Sequence, residues 1–587
     1  MVDQFGYLPG ETKVAILREP VAGFDAGRAR APGARIELVR ADTRRVVLTA
    51  AATPWHGGAT DPSSGDLIWS CDFSAVRKPG TYRVIDPERQ ASSTVFRIAT
   101  DVYRPVLKAA VRMLFYQRAG FAKDARFAGA AWADGASHVG PGQDREARLF
   151  SRPDDAATAR DLHGGWYDAG DYNRYTAWAA RDVVELLHAY VEKPGAWADD
   201  YGIPESGNGV PDLLDEVKWE LDWLTRMQNP DGSMLSILGA SSGSPPSAAK
   251  GPSYYGPPNT VSALAAASAF AFGARVYGAT GRFDGYAREL TRRAKAAWGW
   301  AIAHPDVVFR NNDAASGSSG LGAGQQETDG FGRAMERIVA AVHLFDLTGE
   351  GADRAYVDAH LRETRLFERH DASPMDGRVA TALLYYAALA GASPAVAAEI
   401  RGTYLKDLGG TGPWAATPDR RDAYLAWIPS YTWGSNSTKA RQGSILMAAA
   451  GLAGGQSRRA FIEAAGNYLH YLHGVNPLGK VYLSNMGAYG ASRSVARFYH
   501  SWFGQSSAPP PPGYLVGGPD PKYSWDPRCP GLSPACGARP PSPPADQPPE
   551  KSYEDFSTGW PLNSWQITEP DIGYQAAYIR LLSKFVR

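Results

Sequence analysis

The feature that most constrains the fold is a long series of segments with helical periodicity between residues 103 and 586. In residues 211–228, PDLLDEVKWELDWLTRMQ, apolar side chains at 214, 217, 221 and 224 recur at the spacing of one helix face. The same period predicts twelve helices, near residues 103–119, 178–193, 211–228, 260–279, 282–303, 330–348, 353–366, 376–391, 394–406, 438–454, 457–474 and 571–586. Twelve such helices predict six helical hairpins, closed as a ring of inner and outer helices.

The first hundred residues have a different pattern. Short β-branched or aromatic runs alternate with Gly, Pro and Asp signals; the runs are TKVAILRE, ARIELVRA, RRVVLTA, DLIWSCDF and GTYRVID. This spacing predicts a small antiparallel β-sandwich. At 587 residues the chain is too long for one ordinary domain. We therefore expect a β-sandwich over residues 1–98 and a mainly α domain over residues 101–587.

The overall composition argues against several classes of partner. The 61 basic and 61 acidic residues balance to a formal net charge of zero, whereas nucleic-acid binding favours a basic surface. No run of about 18 apolar residues is present, so we expect no membrane-spanning helix. We expect a monomer with neither nucleic acid nor a membrane as partner.

Cysteine is scarce, with only Cys71, Cys529 and Cys536. Cys71 lies in a strand-like apolar stretch, and we expect it in the core. Cys529 and Cys536 enclose the loop CPGLSPAC, which fits either a local disulfide or two free thiols. A disulfide here would suit an exported protein. We expect an extracellular protein, although no signal peptide is visible in the opening residues MVDQFGYLPG.

The stretch HGGWYDAGDYNRYT, residues 163–176, places Asp168 and Asp171 three residues apart among aromatic rings. One carboxylate of such a pair can orient a water molecule while the other removes its proton. An acidic turn that caps the following helix, or a calcium loop, would give the same spacing. Trp166 and Tyr172 favour a third interpretation, a sugar-binding cleft, because flat amphipathic rings suit sugar faces.

A second acid, Glu569, precedes Pro570 at the start of the last predicted helix. If the helix ends share one rim of a ring, Asp171 and Glu569 could stand on opposite sides of a substrate. Inverting glycoside hydrolysis needs two carboxyl groups about 6.5–9.5 Å apart. The alternative is an acid that stabilises the helix N-terminus through the helix dipole.

His500 lies between Tyr499 and Trp502 in ARFYHSWFGQ and is either a packed ring or part of a substrate-contacting loop. Other catalytic motifs are absent, including CxxC, HExxH and the phosphate-binding loop. The run GLGAGQ at 320–325 does not follow a strand, which argues against dinucleotide binding.

Together these residues resemble glycoside hydrolase family 9, which includes many inverting cellulases, in the branch with an N-terminal immunoglobulin-like domain. The resemblance covers essentially the whole chain. Its motifs are DQFGYLP (3–9), GGWYDAGDYNRY (164–175), YTWGSNS (431–437), HGVNPLGKVYLSNMG (473–487), GYLVGGPD (513–520) and NSWQITEP (563–570).

The resemblance implies an (α/α)6 barrel that hydrolyses β-1,4-glucan. Asp171 would be the general base, Asp168 would help hold the water, Glu569 would be the general acid, and His500 would contact the sugar. The other expected sugar contacts are Trp166, Tyr172, Trp433, Tyr499, Trp502 and Tyr574. The alternatives are an exo-acting enzyme on cello-oligosaccharides or glucosamine oligomers, and a carbohydrate-binding protein without catalysis.

Two departures from the family pattern matter. RFYHSWF replaces the usual Pro-His-His-Arg run, which puts the sugar contacts of that loop in doubt. The places that match a zinc site of this branch hold Ala119 and Ser137, with His138, so without thiolates we expect no structural zinc. For calcium, which is common in the branch, the candidates are Glu327 and Asp329 in GQQETDGFGR. The alternative for that stretch is a solvated loop at a helix start.

Overall fold

The computed structural model describes residues 1–369, 377–408, 421–526 and 541–587. The chain forms two compact units, of which the first contains Met1–Met113 and Gly410–Arg587 and the second contains Leu114–Gly409. This division does not test the predicted domains 1–98 and 101–587, which stay a prediction. The predicted disulfide between Cys529 and Cys536 lies outside the described residues.

Ten strands form the N-terminal part of the first unit: β1 Gly6–Tyr7, β2 Val14–Pro20, β3 Ile36–Arg40, β4 Val46–Ala50, β5 Thr53–Pro54, β6 Thr60–Asp61, β7 Asp66–Asp72, β8 Gly80–Asp86, β9 Ala91–Ser92 and β10 Phe96–Ile98. One sheet has the order β1-β10-β8-β3-β4, with β9 on β8. The other has the order β2-β7-β5, with β6 on β7. All pairs are antiparallel except β1 with β10.

Side chains from both sheets meet in one apolar core, as in a sandwich. Ala15 on β2 and Cys71 on β7 pack in the same cluster as Leu38 on β3 and Phe96 on β10. The five predicted strand runs correspond to β2, β3, β4, β7 and β8, because their β-branched and aromatic residues supply a buried face. Cys71 is buried, as expected.

Twelve helices of ten or more residues follow in the described part of the chain: α1 Arg104–Gln117, α2 Thr176–Glu192, α3 Asp212–Met227, α4 Thr260–Ala279, α5 Asp284–Ala303, α6 Gly330–Thr348, α7 Gly351–His360, α8 Gly377–Ala388, α9 Pro394–Leu408, α10 Ser435–Leu452, α11 Gly455–Leu472 and α12 Ile572–Ser583. Each lies at a predicted position. The predicted helix 353–366 is broken, because Thr364 has an extended backbone (φ −76°, ψ 152°) and begins a separate helix, Arg365–Glu368.

Within the second unit the helices form two layers. Helices α2, α4, α6 and α8 pack side by side, and each also packs against the next helix in the chain, α3, α5, α7 and α9 respectively. Helix α4 is long and apolar enough to cross a membrane by length and composition, but 89% of its apolar window is buried inside the protein. A core helix needs the same composition. In the first unit, α10 packs against α11 and α12.

Two small sheets lie among the loops. In the second unit, β11 Arg148–Leu149, β12 Arg174–Tyr175, β13 Ile237–Gly239 and β14 Tyr254–Tyr255 pair in the order β11-β14-β13-β12. Strand β12 is the end of the aspartate motif, so this sheet fixes where α2 begins. In the first unit, β15 Val481–Ser484 pairs with β16 Ser494–Val495.

The motif DQFGYLP ties the sandwich to helix α11 within the first unit. Asp3 Oδ2 lies 2.9 Å from His470 Nδ1 and 3.0 Å from His473 Nδ1. Its Oδ1 accepts hydrogen bonds from the backbone N–H groups of Phe5 and Gly6 at 2.9 and 3.1 Å. Burial alone would raise the pKa of Asp3, but the two histidines and their hydrogen bonds lower it. A fully satisfied carboxylate therefore joins the strand to the helix.

Buried ions also join the sandwich to the C-terminal segment. Lys551 Nζ donates hydrogen bonds to Asp25 Oδ1 at 2.9 Å and Asp66 Oδ1 at 2.6 Å. Arg18 donates to the same two acids from the sandwich side. The side chains of Lys551 and Asp66 are fully buried. Removing the charge of Lys551 or of Asp66 would leave its partner's charge buried without compensation, which is strongly destabilising.

A second buried cluster contains three acids and one base. Lys439 Nζ lies 3.9 Å from Asp422 Oδ2 and 3.7 Å from Glu550 Oε1. Burial raises the pKa of Asp422. Burial, and then the charge of Asp422, raise the pKa of Glu550 and that of Asp61, the latter to about 6. Because one ammonium faces three carboxyl groups, this cluster favours states in which some of the acids keep their protons.

Candidate active site

The aspartate loop is a tight turn that only glycine permits at its start. Gly164 and Gly165 have φ of +97° and +76°, and a Cβ at Gly165 would lie 2.7 Å from the Trp223 ring. Farther along, the Asp168 N–H donates to the Asn173 carbonyl at 3.0 Å and closes the loop. The side chain of Gln117 donates to the carbonyls of residues 167 and 169 at 3.2 and 2.8 Å. These bonds fix the backbone on both sides of Asp168.

Asp171 is half-buried, and both of its oxygens are held by one residue. The backbone N–H of Asn173 donates to Oδ1 at 2.9 Å, and its Nδ2 donates to Oδ2 at 2.9 Å. Burial raises the pKa of Asp171, and the two hydrogen bonds partly offset that rise. Burial chiefly, and then the charges of Asp171 and Asp168, raise the pKa of Tyr175. The second unit therefore brings both predicted aspartates into one electrostatic environment.

Buried polar side chains support the loop from beneath. Arg174 Nη1 donates to Asp144 Oδ2 and to the carbonyl of residue 164, both at 2.8 Å. Glu220 Oε2 accepts the Trp166 N–H at 2.6 Å, and Glu216 Oε2 accepts the Trp166 Nε1–H at 3.3 Å. Neither glutamate is among the site residues predicted from the sequence. Their signal is two acids four residues apart within the apolar face of helix α3.

Trp166 and Tyr172 are buried, with 2% and 1% of their surface exposed. The Tyr172 hydroxyl donates to the Gly243 carbonyl at 2.6 Å. Both rings thus make protein contacts in this structure, and the sugar contacts expected of them stay a prediction.

Glu569 follows the short helix Trp565–Thr568 with an extended backbone, and its side chain is half-buried. Its carbonyl accepts the Gly517 N–H at 3.1 Å. The next acid, Asp571, caps helix α12 by accepting the Tyr574 N–H at 2.9 Å. The N-cap of helix α12 is therefore Asp571, and the helix-dipole alternative for Glu569 stays open.

The other stretches of the family resemblance in the first unit gather around the same short helix. Tyr499 N–H donates to Thr568 Oγ1 at 3.1 Å, and Gly518 N–H donates to the carbonyl of residue 567 at 2.8 Å. Gly518 has φ +100°, and a Cβ there would lie 2.4 Å from the Asn436 side chain. The Asn436 N–H in turn donates to the carbonyl of residue 517 at 3.0 Å. These contacts place YTWGSNS, the histidine loop and GYLVGGPD beside Glu569.

The histidine loop is more buried than expected. His500 is 3% exposed, and its Nδ1 accepts the Trp502 N–H at 3.1 Å. Burial lowers the pKa of His500 to about 3, so the ring is neutral near neutral pH. Trp502 is also buried and stacks on Phe503 at 4.5 Å. The sugar contacts predicted for these two rings stay a prediction.

Three other predicted aromatic contacts are more accessible. Trp433 is 51% exposed, and Tyr574 and Tyr499 are half-buried. A Cβ at Gly434 would lie 2.9 Å from the Tyr574 hydroxyl, so Tyr574 packs against the residue that follows Trp433. Tyr499 meets the Trp565 ring edge-on at 5.5 Å.

The residues at the zinc position do not fit zinc. Ala119 offers no donor atom, and Ser137 Oγ accepts the Tyr167 hydroxyl at 2.6 Å. His138 Nδ1 lies 2.6 Å from the same hydroxyl, and its Nε2 lies 2.9 Å from the Ser241 carbonyl. Both imidazole nitrogens thus have protein partners, and thiolates, the usual ligands of structural zinc, are absent from these positions.

The calcium candidates Glu327 and Asp329 are engaged by the protein. Glu327 Oε2 accepts hydrogen bonds from Asn259 Nδ2 at 2.8 Å and from the Phe309 N–H at 3.0 Å. Asp329 caps helix α6 by accepting the Gly332 N–H at 2.8 Å. Calcium at this pair stays a prediction.

A different group of acids can hold a metal ion. Carboxylate oxygens of Asp199, Asp212 and Asp215 lie within 4.8 Å of one another. Asp212 is fully buried, and its Oδ1 has no hydrogen-bond partner among the described residues. Burial raises the pKa of Asp215 to about 7. Calcium binds carboxylate oxygens, so three aspartates, one of which has an oxygen without a hydrogen-bond partner, fit a calcium ion.

Comparisons with known proteins agree on one family. The model described as "Glycosyl hydrolase family 9" matches residues 103–582, and the model "Cellulase N-terminal ig-like domain" matches residues 1–90. The chain is 28% identical to Endoglucanase C of Cellulomonas fimi over 90% of this chain and 47% of that protein. It is 26% identical to a cellulose 1,4-beta-cellobiosidase of Acetivibrio thermocellus over 96% of this chain and 65% of that protein. The chain therefore spans about half to two thirds of the length of these relatives.

Solved structures match over the whole chain. A metagenome-derived glycoside hydrolase family 9 endoglucanase is 28% identical, with a TM-score of 0.81 over 100% of this chain and 98% of that one. A zinc-binding triple mutant of the family 9 endoglucanase J30 is 28% identical, with a TM-score of 0.79 over 99% of both chains. The mainly α fold, an (α/α)6 barrel preceded by an immunoglobulin-like β-sandwich, is thereby confirmed. The chain belongs to glycosyl hydrolase family 9, in the branch with an N-terminal immunoglobulin-like domain.

Proposed function

We propose that this chain is an inverting glycoside hydrolase that cleaves β-1,4-glucan internally, with Asp171 as general base and Glu569 as general acid. The setting of Asp171 carries the proposal. Its carboxylate is half-buried, has a raised pKa and is held at both oxygens by Asn173. The endoglucanases among the relatives support the substrate class.

In this mechanism Asp171 takes a proton from the water that attacks the anomeric carbon, and Asp168 helps to hold that water. A buried base with a raised pKa binds the proton more strongly than an exposed aspartate does. Glu569 donates a proton to the leaving glycosidic oxygen. A single displacement then inverts the anomeric configuration.

Anomeric analysis of the first product and two substitutions test these roles. Proton NMR during hydrolysis of cello-oligosaccharides should show the α-anomer first. Asp171→Asn and Glu569→Gln should each lower kcat by about 10²–10⁴, whereas Asp154→Asn, on an exposed loop, should leave it unchanged. A β-anomer as first product would contradict inversion. If Glu569→Gln keeps full activity on substrates whose leaving group needs protonation, Glu569 is not the general acid.

An exo-acting enzyme on cello-oligosaccharides is the second candidate. A cellobiosidase of Acetivibrio thermocellus and a cellodextrinase of Butyrivibrio fibrisolvens are among the relatives, the latter 28% identical over 63% of this chain. Internal cleavage should lower the viscosity of carboxymethylcellulose early, before much reducing sugar appears. Sugar release without loss of viscosity would favour exo action. Glucosamine oligomers, assayed in parallel, test the amino-sugar alternative, and no hydrolysis of any glycan would indicate a binding protein.

We further propose that Asp199, Asp212 and Asp215 hold calcium. The ion would stabilise the loop between these residues and would take no part in the reaction. Because a polysaccharide substrate lies outside the cell, we also propose that the enzyme is extracellular. We further propose that it is a monomer.

A further inference from the structure

Exposed tryptophans in the first unit form a pattern that the predicted sugar contacts do not cover. Among the described residues, three tryptophans are exposed: Trp433 at 51%, Trp560 at 39% and Trp525 at 37%. An indole ring left in water forgoes a large hydrophobic gain, so exposed aromatic surface marks contact sites. Trp433 is already a predicted sugar contact, whereas Trp525 and Trp560 have no role so far.

Trp525 and Trp560 lie on two chain segments that are hydrogen-bonded to each other. The Asp526 N–H donates to the Pro561 carbonyl at 2.9 Å, and Trp560 Nε1 donates to Asp526 Oδ2 at 3.3 Å. The Trp560 ring is thus held at its polar edge while part of its apolar surface remains in solvent. Such a ring presents a flat surface at low entropic cost.

The same pair of segments is fixed to the helix that precedes Glu569. The Ser524 N–H donates to Gln566 Oε1 at 3.1 Å, and Gln566 Nε2 donates back to the Ser524 carbonyl at 2.7 Å. Asn563 Nδ2 donates to the same carbonyl at 3.2 Å. Gln566 lies in the helix Trp565–Thr568, and Glu569 is the first residue after that helix. The exposed rings are therefore rigidly connected to the general-acid segment.

We propose that Trp525 and Trp560 form a sugar-binding platform that binds β-1,4-linked glucose residues of the substrate beyond those held next to Glu569. This inference rests on the proposed function. A β-linked glucose ring exposes C–H groups on its faces, which pack on an indole, and hydroxyls at its edge, which need polar neighbours. Exposed Lys522 and Ser524 and half-buried Asp526 supply such neighbours. The platform lengthens the sugar-binding surface and favours long chains over short ones.

Binding of short and long oligosaccharides tests the platform separately from catalysis. In the inactive Asp171→Asn chain, Trp560→Ala and Trp525→Ala should weaken cellohexaose binding by about 5–10-fold each, as for a buried interface tryptophan. Cellobiose binding should be unchanged. The matched control is Trp55→Ala in the sandwich, where the ring stacks on His56 at 4.1 Å; it should change neither affinity. Equal losses for both sugars, or no loss for cellohexaose, would overturn the proposal.

A measurement without platform substitutions guards against misfolded variants. N-bromosuccinimide oxidises accessible indoles, and peptide mass spectrometry locates the products. In the Asp171→Asn chain, cellohexaose should slow oxidation of Trp525 and Trp560, and cellobiose should not. Unprotected rings in saturating cellohexaose would refute the platform even if hydrolysis occurs. Conversely, absence of hydrolysis by the wild-type chain, with protection intact, would refute the proposed function and leave the sugar-binding platform standing.

Discussion

Asn173 offers a direct test of the base assigned to Asp171. Its backbone N–H and its Nδ2 each donate a hydrogen bond of 2.9 Å to the carboxylate. Both bonds favour the ionised form, against the burial that raises the pKa of Asp171. Asn173→Ala removes the side-chain donor and keeps the backbone donor. The loop therefore retains the hydrogen bond from the Asp168 N–H to the carbonyl of residue 173, whereas the Asp171 carboxylate loses one of its two hydrogen bonds.

The size of the effect follows from the strength of that bond. A hydrogen bond to a charged group is worth about 1.5–3 kcal/mol, and one pKa unit corresponds to about 1.36 kcal/mol. The pKa of Asp171 should therefore rise by about 1–2 units. A base acts only when ionised, so the acidic limb of kcat/KM against pH should move to higher pH by the same amount. The alkaline limb depends on the acid and should stay in place.

The assay is the pH profile of kcat/KM on a soluble cello-oligosaccharide. The matched control is Ser316→Ala, which removes a 2.9 Å side-chain hydrogen bond to the exposed carboxylate of Asp313 and should leave both limbs unchanged. An acidic limb that does not move in Asn173→Ala would refute the reasoning, because it would mean that Asp171 is not the ionisation that limits activity at low pH.

Three further predictions concern stability. Lys551→Met removes a hydrogen-bonded cation from two buried acids and should lower the free energy of unfolding in urea by about 3 kcal/mol. Lys295→Met, at the exposed pair with Glu350, should lower it by less than about 0.5 kcal/mol. Similar losses in both variants would contradict the inference that burial makes the Lys551 ion pairs important. The pKa of Asp61 is raised to about 6 and that of Glu550 is also raised, so the contribution of these two acids to stability is complete below their ordinary pKa and is lost as pH rises through the raised values. Urea midpoints should therefore fall less steeply with rising pH in Glu550→Gln than in the wild-type chain, and equal slopes would contradict this argument. Chelation by EDTA should lower the melting temperature of the wild-type chain and leave that of Asp215→Asn unchanged. If calcium is present at a hundred times its Kd, its removal costs the wild-type chain about 2.7 kcal/mol of stability. Equal shifts in both chains would exclude this cluster as the calcium site.

Local sequence patterns were enough to predict the secondary structure and to select the candidate acids. Helical period, strand alternation and turn residues act over a few neighbours, so the twelve helices and the five longest strands could be predicted from local patterns. The family motifs make Asp168, Asp171 and Glu569 the candidate catalytic acids, because each lies in a short, contiguous stretch that can be matched without the fold.

Burial, by contrast, was decided only by the tertiary structure. Trp166 and His500 are expected sugar contacts from their motifs, but the folded chain buries both. Gln117 supports the aspartate loop and Trp560 remains exposed, although the residues next to them in the chain predict neither. The physical reason is that exposure and hydrogen-bond partners depend on residues distant in sequence, which meet only when the chain packs.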